Sequence, residues 1–279
     1  MQEEVIQDRY RIEEKIGRGT VGEVYRATDM TLDRSVAIKI LDQELSDHPR
    51  FVERYVHLVR TAASLHHANI VVIHDIVRTP EERVCVVMEY LDGVPLDKAL
   101  EETTQWPHPQ TADVLTGIAR ALDYAHGEGI YHLGMKASDI ILEPERPVVT
   151  DFCVLQALQT LTDRYSLRGL PPAYMAPEQI DASQGGHEGP WTDIYVLGIM
   201  AYQMIFGMLP FRATTPLAIL HAHMEQEVPR PAGCPPEIFD PLRKAMAKSP
   251  EERYESAGAF VDEQPSRDSA AFRMAFRCS

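Results

Sequence analysis

A glycine-rich segment, GRGTVG, lies near the start of the sequence and carries Gly17, Gly19 and Gly22. Without a Cβ, glycine lets the backbone approach a phosphate group closely. A dinucleotide-binding fold would need a helix directly after these glycines. The residues that follow, EVYRAT, instead alternate in the manner of a strand. The spacing therefore predicts a glycine turn between two strands that lies over phosphates.

A lysine in the next strand supports a phosphate ligand. Lys39 stands in the middle of the apolar run VAIKIL. Burying an ammonium group is costly unless it meets an anion. The alternative is a plain hairpin whose lysine stem is buried and whose ammonium reaches solvent.

The segments that must position these residues change character near Gly93. The first ninety residues contain five β-branched runs and one helical stretch, which are YRIEEKIG, GEVYRATD, SVAIKIL, IVVIHDIV, RVCVVMEYL and Pro49–His66. The later residues are mostly helical, with predicted helices at 109–127, 191–207, 216–226, 236–248 and 256–262. The pattern predicts an α+β fold with two lobes, at about 10–90 and 94–264.

Composition narrows the class of partner. The formal net charge of −15 argues against nucleic acid and against an anionic membrane surface. The four cysteines are far apart, which favours reduced thiols in a cytoplasmic protein. Residues 1–9 and 265–279 are predicted tails, and no signal peptide is expected. We leave open whether the chain is part of a longer, membrane-anchored protein.

One uncharged segment, 194–211, is long enough to raise the question of a membrane span. It contains Gln203, two glycines and Pro210, and Asp193 directly precedes it. These residues favour a buried helix that ends near Gly207, with no membrane span within this chain.

Further motifs follow in order along nearly the whole chain. They are MEYLDG (88–93), YHLGMKASD (131–139), DFC (151–153), AYMAPEQ (173–179), TDIYVLG (192–198) and PEERY (250–254). With the glycine turn and VAIK they resemble the eukaryotic-type protein kinase domain, in the style of bacterial Ser/Thr kinases. The resemblance implies a two-lobed protein-kinase-like fold over residues 10–264 that acts on, or binds to, a protein.

The same resemblance implies ATP and Mg²⁺ as ligands. The residues expected at the nucleotide are Ile16, Gly17, Gly19, Gly22, Val24, Ala37, Lys39, Glu89, Leu91, Ile141 and Asp151. Asp139 and Asp151 are the expected metal ligands, because carboxylate oxygens are of the hard type that Mg²⁺ prefers. Arg253 is expected to pair with Glu178.

The motif at 131–139 departs from the family pattern at its reacting position. Gly134 occupies the place of the aspartate that accepts the proton of the substrate hydroxyl, while Lys136 is retained. Glycine cannot take a proton, and loss of a general base typically lowers the rate by ~10²–10⁴. No confident catalytic residue is left in this motif.

Three further departures concern the same site. Leu58 holds the place of the glutamate that pairs with the VAIK lysine, and Glu53 lies on a different helix face. Leu133 replaces the arginine that receives an activation-loop phosphate, and Pro171 replaces a threonine. Thr160, Thr162 and Ser166 are candidate phosphorylation sites without that receiver.

These departures predict a pseudokinase, meaning a catalytically impaired kinase-like domain that acts as an ATP-binding or scaffolding signalling module. One alternative is an atypical active Ser/Thr kinase that relies on Lys39, Lys136, Asp139 and Asp151. Another is a scaffold that binds no nucleotide. The sequence does not separate the first reading from the last, since the glycines and Lys39 serve both.

Overall fold

The computed structural model describes residues 5–102, 108–161, 170–181 and 188–265. The strands are β1 (Val5–Ile6), β2 (Tyr10–Arg18), β3 (Gly22–Asp29), β4 (Arg34–Leu41), β5 (Ile73–Arg78), β6 (Val84–Glu89), β7 (Val94–Pro95), β8 (Ile140–Leu142) and β9 (Pro147–Val149). The helices are α1 (Gln43–Ser46), α2 (Pro49–Ala62), α3 (Leu96–Glu102), α4 (His108–Gly127), α5 (Val154–Leu158), α6 (Pro177–Ile180), α7 (Pro190–Phe206), α8 (Pro216–Glu225), α9 (Pro236–Ala245) and α10 (Ala257–Asp262). Short 3-10 turns cover Ala137–Asp139, Pro172–Tyr174 and Pro250–Glu252.

Backbone contacts divide the described chain into two compact units. The first contains the described residues up to Asp92 and those from Phe152 to Leu161, and the second contains Gly93–Asp151 and those from Leu170 onward. A sheet-rich first unit and a helical second unit confirm the predicted α+β class. The predicted domain bounds of 10–264 stay a prediction.

The first unit is built on a six-stranded antiparallel sheet with the order β1-β2-β3-β4-β6-β5. β4 lies inside the sheet, and its residues from Val36 to Leu41 are all buried. One core cluster of this unit contains Ile6, Tyr10, Ala27, Val36, Ile38, Ile40, Val77, Cys85 and Val87. Lys39 therefore stands within a continuous buried run of an inner strand.

Two helices of the first unit pack against each other. In α2 the buried residues fall on one face, with Phe51, Tyr55, Leu58, Val59 and Ala62 spaced three or four apart. In α5 four apolar residues are buried in only five positions, and α2 and α5 are in contact. Burial of both apolar faces holds the start of the segment after Asp151 on the sheet-bearing unit.

The second unit is organised around α7. Fourteen of its seventeen residues are buried, and it contacts α4, α9 and α10. Gly207 ends the helix in the left-handed conformation with φ of 68°, where glycine avoids the steric penalty of a Cβ. The predicted buried helix ending near Gly207 is confirmed. Among the described helices, none is both long and apolar enough to cross a bilayer.

Element boundaries differ from the predictions by a few residues. The stretch predicted as helix to His66 ends at Ala62, and the strand predicted from Ile70 begins at Ile73. The short elements α3 and α5 were not predicted. A helix of five to seven residues spans two turns at most, so its apolar spacing is too short a signal to stand out.

Candidate active site

The glycine segment forms the tight hairpin between β2 and β3, closed by a bond from Gly19 N to Gly22 O of 2.8 Å. At Gly22 a Cβ would lie 2.0 Å from the carbonyl oxygen of Ile40. At Gly17 a Cβ would have no atom within 4 Å. Gly22 is therefore required by its close approach to β4, whereas the space at Gly17 is open to a ligand.

Lys39 lies on β4 between Val24 of β3 and Val86 of β6. It is 4% exposed, as the sequence predicted for a lysine in an apolar strand. Ala37, two residues earlier, is also buried, while Val24 is half-buried. A buried ammonium of this kind supports an anionic ligand or partner.

The position of the expected lysine partner is apolar. Leu58 is 7% exposed and belongs to the buried face of α2. Glu53 is exposed, consistent with its predicted place on another face of the helix. The α2 helix is thus committed to apolar packing at the position where the family carries a carboxylate.

Four further residues expected at the nucleotide differ in their surroundings. The Glu89 side chain accepts a bond from Val72 N at 2.9 Å, and Glu89 N donates to Val72 O at 2.9 Å. Leu91 is half-buried, and Ile16 is 45% exposed. Glu89 is therefore tied to Val72 on both sides, and Ile16 is an apolar residue that the first unit leaves uncovered. Ile141 belongs to β8 of the second unit and is half-buried.

The loop at 131–139 is held from below by Asp193 of α7. Its carboxylate accepts from the amides of His132 and Leu133 at 2.9 and 2.7 Å, and it lies 2.8 Å from His126 Nε2. Asp193 is 0% exposed. These hydrogen bonds use the backbone amides of the loop, so they form whichever side chains the loop carries. The loop conformation therefore does not depend on the residue that follows.

The other end of the loop joins the segment before Asp151. His132 Nε2 lies 2.9 Å from Thr150 O, and Thr150 N donates to Asp139 O at 2.8 Å. Asp151 has φ of 63°, an uncommon conformation for a residue with a side chain. These bonds fix the two expected metal ligands within the second unit.

Lys136, which is half-buried, and Asp139, which is buried, form an ion pair. Lys136 Nζ donates to Asp139 Oδ1, and Lys136 N lies 3.2 Å from Asp139 Oδ2. Burial raises the pKa of Asp139, the charge of Lys136 lowers it, and the charge of Asp151 raises it. Burial lowers the pKa of Lys136, but Asp139 and Asp151 outweigh that effect and raise it overall. Lys136 is thus committed to a carboxylate of its own loop.

The donors present fit a hard divalent cation. Asp139 and Asp151 are both carboxylates of the second unit, and their mutual repulsion is what a cation would relieve. A carboxylate has about four acceptor positions, so Asp139 can bind a cation in addition to Lys136. Within the described residues, no group of three or more His, Cys, Asp or Glu side chains is arranged around one point.

Cys153 follows the metal-ligand position in a strained conformation. It has φ of 68°, stands at the N-terminus of α5 and is 3% exposed. The left-handed conformation costs a residue with a Cβ ~1–2 kcal/mol relative to glycine. A buried thiol such as this one behaves as a small apolar residue.

The substrate side of the loop lacks its polar groups. Leu133 is 4% exposed and has φ of 59°, and Gln179 Nε2 donates to its carbonyl at 2.7 Å. Pro171 is exposed and begins the 3-10 turn at 172–174. Thr160 bonds to Ala157 O at 2.7 Å, while Thr162 and Ser166 lie outside the described residues. An apolar side chain is therefore packed where the family has an arginine.

The predicted pairing of Glu178 with Arg253 is confirmed. Arg253 donates from both terminal nitrogens to the two carboxylate oxygens at 2.8 Å each. It also donates to the carbonyls of Trp191, Ala247 and Lys248 at 2.9, 2.9 and 3.2 Å. The Arg253 side chain is 0% exposed, so the pair is a buried cross-link within the second unit.

Sequence comparison identifies relatives over most of the chain. It is 34% identical over 262 residues to the serine/threonine-protein kinase PknA of Mycobacterium tuberculosis, covering 91% of this chain and 60% of PknA. It is 34% identical over 265 residues to a probable serine/threonine-protein kinase of Clostridium acetobutylicum, covering 93% of this chain and 40% of that protein. The chain thus spans about half the length of these relatives.

Structure comparison gives the same fold. The PknI kinase domain of Mycobacterium tuberculosis matches with a TM-score of 0.74 at 24% identity, covering 95% of this chain and 97% of that domain. The predicted protein-kinase-like fold is thereby confirmed. The family model described as "Protein kinase domain" matches residues 10–263, and the chain therefore belongs to the protein kinase domain family.

Proposed function

We propose that this chain is a catalytically impaired kinase-like module that acts by binding, either to a nucleotide or to a protein partner. One observation carries the proposal. The loop frame around Asp193 is complete, while position 134 has no side chain and Leu133 is packed as an apolar residue. The loop has kept the bonds that fold it and lacks the group that would take a proton.

The size of the expected defect follows from the missing base. A positioned general base contributes ~10²–10⁴ to the rate, or roughly 3–5 kcal/mol of activation free energy. Leu58 and Pro171 remove two further positioning groups from the family pattern. Because phosphoryl transfer depends mainly on positioning and charge, the three losses act on the same transition state.

The remaining residues suit binding of Mg²⁺-ATP. Gly17 leaves open space for phosphate oxygens, Lys39 supplies a buried ammonium, and Asp139 and Asp151 supply carboxylates. When bound, Mg²⁺ supplies positive charge against the phosphate oxygens. The role of this chain's own groups is to hold and orient the nucleotide.

An atypical active Ser/Thr kinase is the second candidate. The observation in its favour is the Lys136–Asp139 pair, whose charges interact with that of Asp151, so that one cation and two carboxylates remain in and near the loop. In this candidate Asp139 or water takes the proton of the substrate hydroxyl. The family relatives named above make serine and threonine the expected acceptors.

The first test is a thermal-shift titration with ATP, with and without Mg²⁺, on the wild type, Lys39→Ala and Asp151→Ala. Ligand at ~100 times its dissociation constant stabilises by roughly 2.7 kcal/mol, which raises Tm by a few degrees for a chain of this size. A shift that Lys39→Ala abolishes is expected. No shift at millimolar ATP would contradict nucleotide binding and leave the protein scaffold.

The second test separates the module from an enzyme. We expect no transfer of labelled γ-phosphate to a generic basic protein above an Asp151→Ala background. Transfer that vanishes in Asp151→Ala would overturn the impaired reading and establish the atypical kinase.

A further inference from the structure

The α2 helix of the first unit has an apolar inner face and a cationic outer face. Its buried residues begin at Phe51 and recur three or four positions apart. Arg50, Arg54 and Arg60 are all exposed. At about 100° per residue, these arginines fall within about 120° of the helix circumference, centred away from the buried residues. We call these three residues the arginine face of α2.

Other arginines of the first unit are paired with carboxylates. These pairs are Arg9 with Asp29, Arg18 with Asp42, Arg26 with Glu13, Arg34 with Asp29 and Arg78 with Glu82. In the part of the chain that the structure describes, no ion pair includes Arg50, Arg54 or Arg60. A carboxylate is available on the same helix, since Glu53 is also exposed, but none of the three bonds to it. Their guanidinium groups therefore have no carboxylate partner within the described chain.

The placement of these arginines opposes the stability of the helix that carries them. Arg50 and Arg54 are four residues apart, a spacing at which two like charges destabilise a helix. Arg50 also lies in the first turn, where the helix dipole favours negative charge, and that turn contains no acidic residue. A bound anion would offset both effects. The arginine face therefore favours an anionic ligand by its position on the helix as well as by its charge.

The spacing of the arginines sets the size of the anion. From Arg50 to Arg60 the helix rises by about 15 Å, at about 1.5 Å per residue. An extended peptide covers that length with about five residues. Guanidinium groups bind carboxylates through two parallel hydrogen bonds, so a short run of Asp and Glu side chains offers matching acceptors.

The charge of the whole chain disfavours a long polyanion. The formal net charge is −15, so a nucleic acid that extends beyond α2 is repelled by the chain as a whole. Three cations also release few counterions from nucleic acid, and anionic membrane surfaces are bound by clusters of about four to eight cations. Charge complementarity therefore favours a short acidic segment of a protein.

We propose that the arginine face of α2 docks a short Asp- and Glu-rich segment of a partner protein. Val52 and Val56, which are half-buried, border this face on one side and offer apolar contact to the bound segment. Because α2 also contacts α5, a partner bound on the outer face stabilises the helix that holds the segment after Asp151. This inference rests on the protein-binding form of the proposed function and is independent of nucleotide binding.

The test is fluorescence anisotropy of a fluorescein-labelled peptide with five alternating Asp and Glu residues, titrated with the full chain in about 50 mM NaCl without nucleotide. We expect saturable binding that weakens at about 200 mM NaCl, because the contacts are exposed ion pairs. The double variant Arg50→Gln with Arg54→Gln should bind the peptide at least about fivefold more weakly. Glutamine is a good helix former, so α2 is expected to stay folded in this variant.

The matched control is Arg34→Gln with Arg78→Gln, which removes two exposed but paired arginines of the same unit and changes the net charge equally. We expect less than about a twofold change in affinity there. Equal losses in the two double variants, or no saturable binding by the wild type, would overturn the proposal. Tighter binding of a thymidine hexanucleotide, which carries the same charge as the peptide, would overturn the choice of a protein partner. Because nucleotide is absent, a negative result leaves the ATP thermal-shift test unaffected.

Discussion

Two sets of positions in the second unit differ in their binding partners: one set bonds groups of the protein itself, and the family counterparts of the other bind a substrate or a phosphate. Asp193 and Arg253 are fully buried and each satisfies several groups of the protein itself. Leu133, Gly134 and Pro171 stand at positions whose family counterparts serve a substrate or a phosphate. The first set is intact in this chain, and the second is lost.

The difference has a physical origin. Removing one partner of a buried polar pair leaves the other without bonds, at a cost of several kcal/mol in folding free energy. Removing a group whose partner is a substrate leaves nothing unsatisfied in the folded protein. Groups that serve folding and groups that serve a substrate can therefore separate within two residues: the His132 amide keeps its bond to Asp193, while Gly134 has no side chain.

The largest expected effect is that of a substitution in the intact set of buried polar residues. Arg253→Met should lower the free energy of unfolding by about 3–5 kcal/mol, because Glu178 stays buried without its cation. The measurement is urea denaturation, with a fall in the midpoint at unchanged slope.

The matched control is Arg243→Met, which removes an exposed arginine paired with Asp240 at 3.7 Å. We expect a change within about 0.5 kcal/mol there. A loss under about 1 kcal/mol in Arg253→Met would show that the buried pair is not what holds this part of the fold.

The sequence predicted the positions of the buried polar residues better than it predicted their contacts. Motif order located Asp193, Glu178 and Arg253, and the apolar run VAIKIL located Lys39, because these signals are local or repeat over many residues. Gly22 stays a predicted nucleotide residue, and the structure adds a constraint that the sequence did not reveal, namely the close approach of the Ile40 carbonyl on a neighbouring strand. Such a contact depends on strand register, which the spacing of glycines does not reveal.

Two features of the second unit had no sequence signal. The bond between Tyr195 and His223, and the contact of Lys248 with the end of α8, join residues 25 or more apart. Hydrogen bonds between residues this far apart in sequence depend on how the helices pack. In the first unit, α5 was missed because its five residues follow the DFC motif without a helix-start signal.

Acidification is expected to destabilise the second unit through a buried histidine. His223 is 0% exposed, and its Nδ1 lies 2.8 Å from Tyr195 Oη. Burial, and then the charge of Lys248, lower its pKa from 6.5 to about 4. Between these values the unfolded chain binds more protons, so stability rises with pH and is lost on acidification, by up to about 3 kcal/mol.

Comparison of variants separates the contribution of His223 to the pH dependence of stability from that of the carboxylates, which also titrate. His223→Gln should flatten the dependence of the free energy of unfolding on pH between 4 and 6.5. His221→Gln, on the exposed side of the same helix, should leave that dependence unchanged. An equal slope in the wild type and His223→Gln would exclude His223 as a source of acid sensitivity.

The smallest expected effect is that of Gly134→Asp, which adds only the missing carboxylate. Gly134 is not among the described residues with positive φ, so an aspartate fits its backbone, and we expect the free energy of unfolding to change by less than ~0.5 kcal/mol. Labelled-phosphate transfer should rise less than ~10-fold, because Lys136 is already paired with Asp139 and the positions of Leu58, Leu133 and Pro171 are unchanged. The double variant Gly134→Asp with Asp151→Ala gives the background. Robust transfer by Gly134→Asp alone would mean that one position, and not the set, separates this loop from a working one.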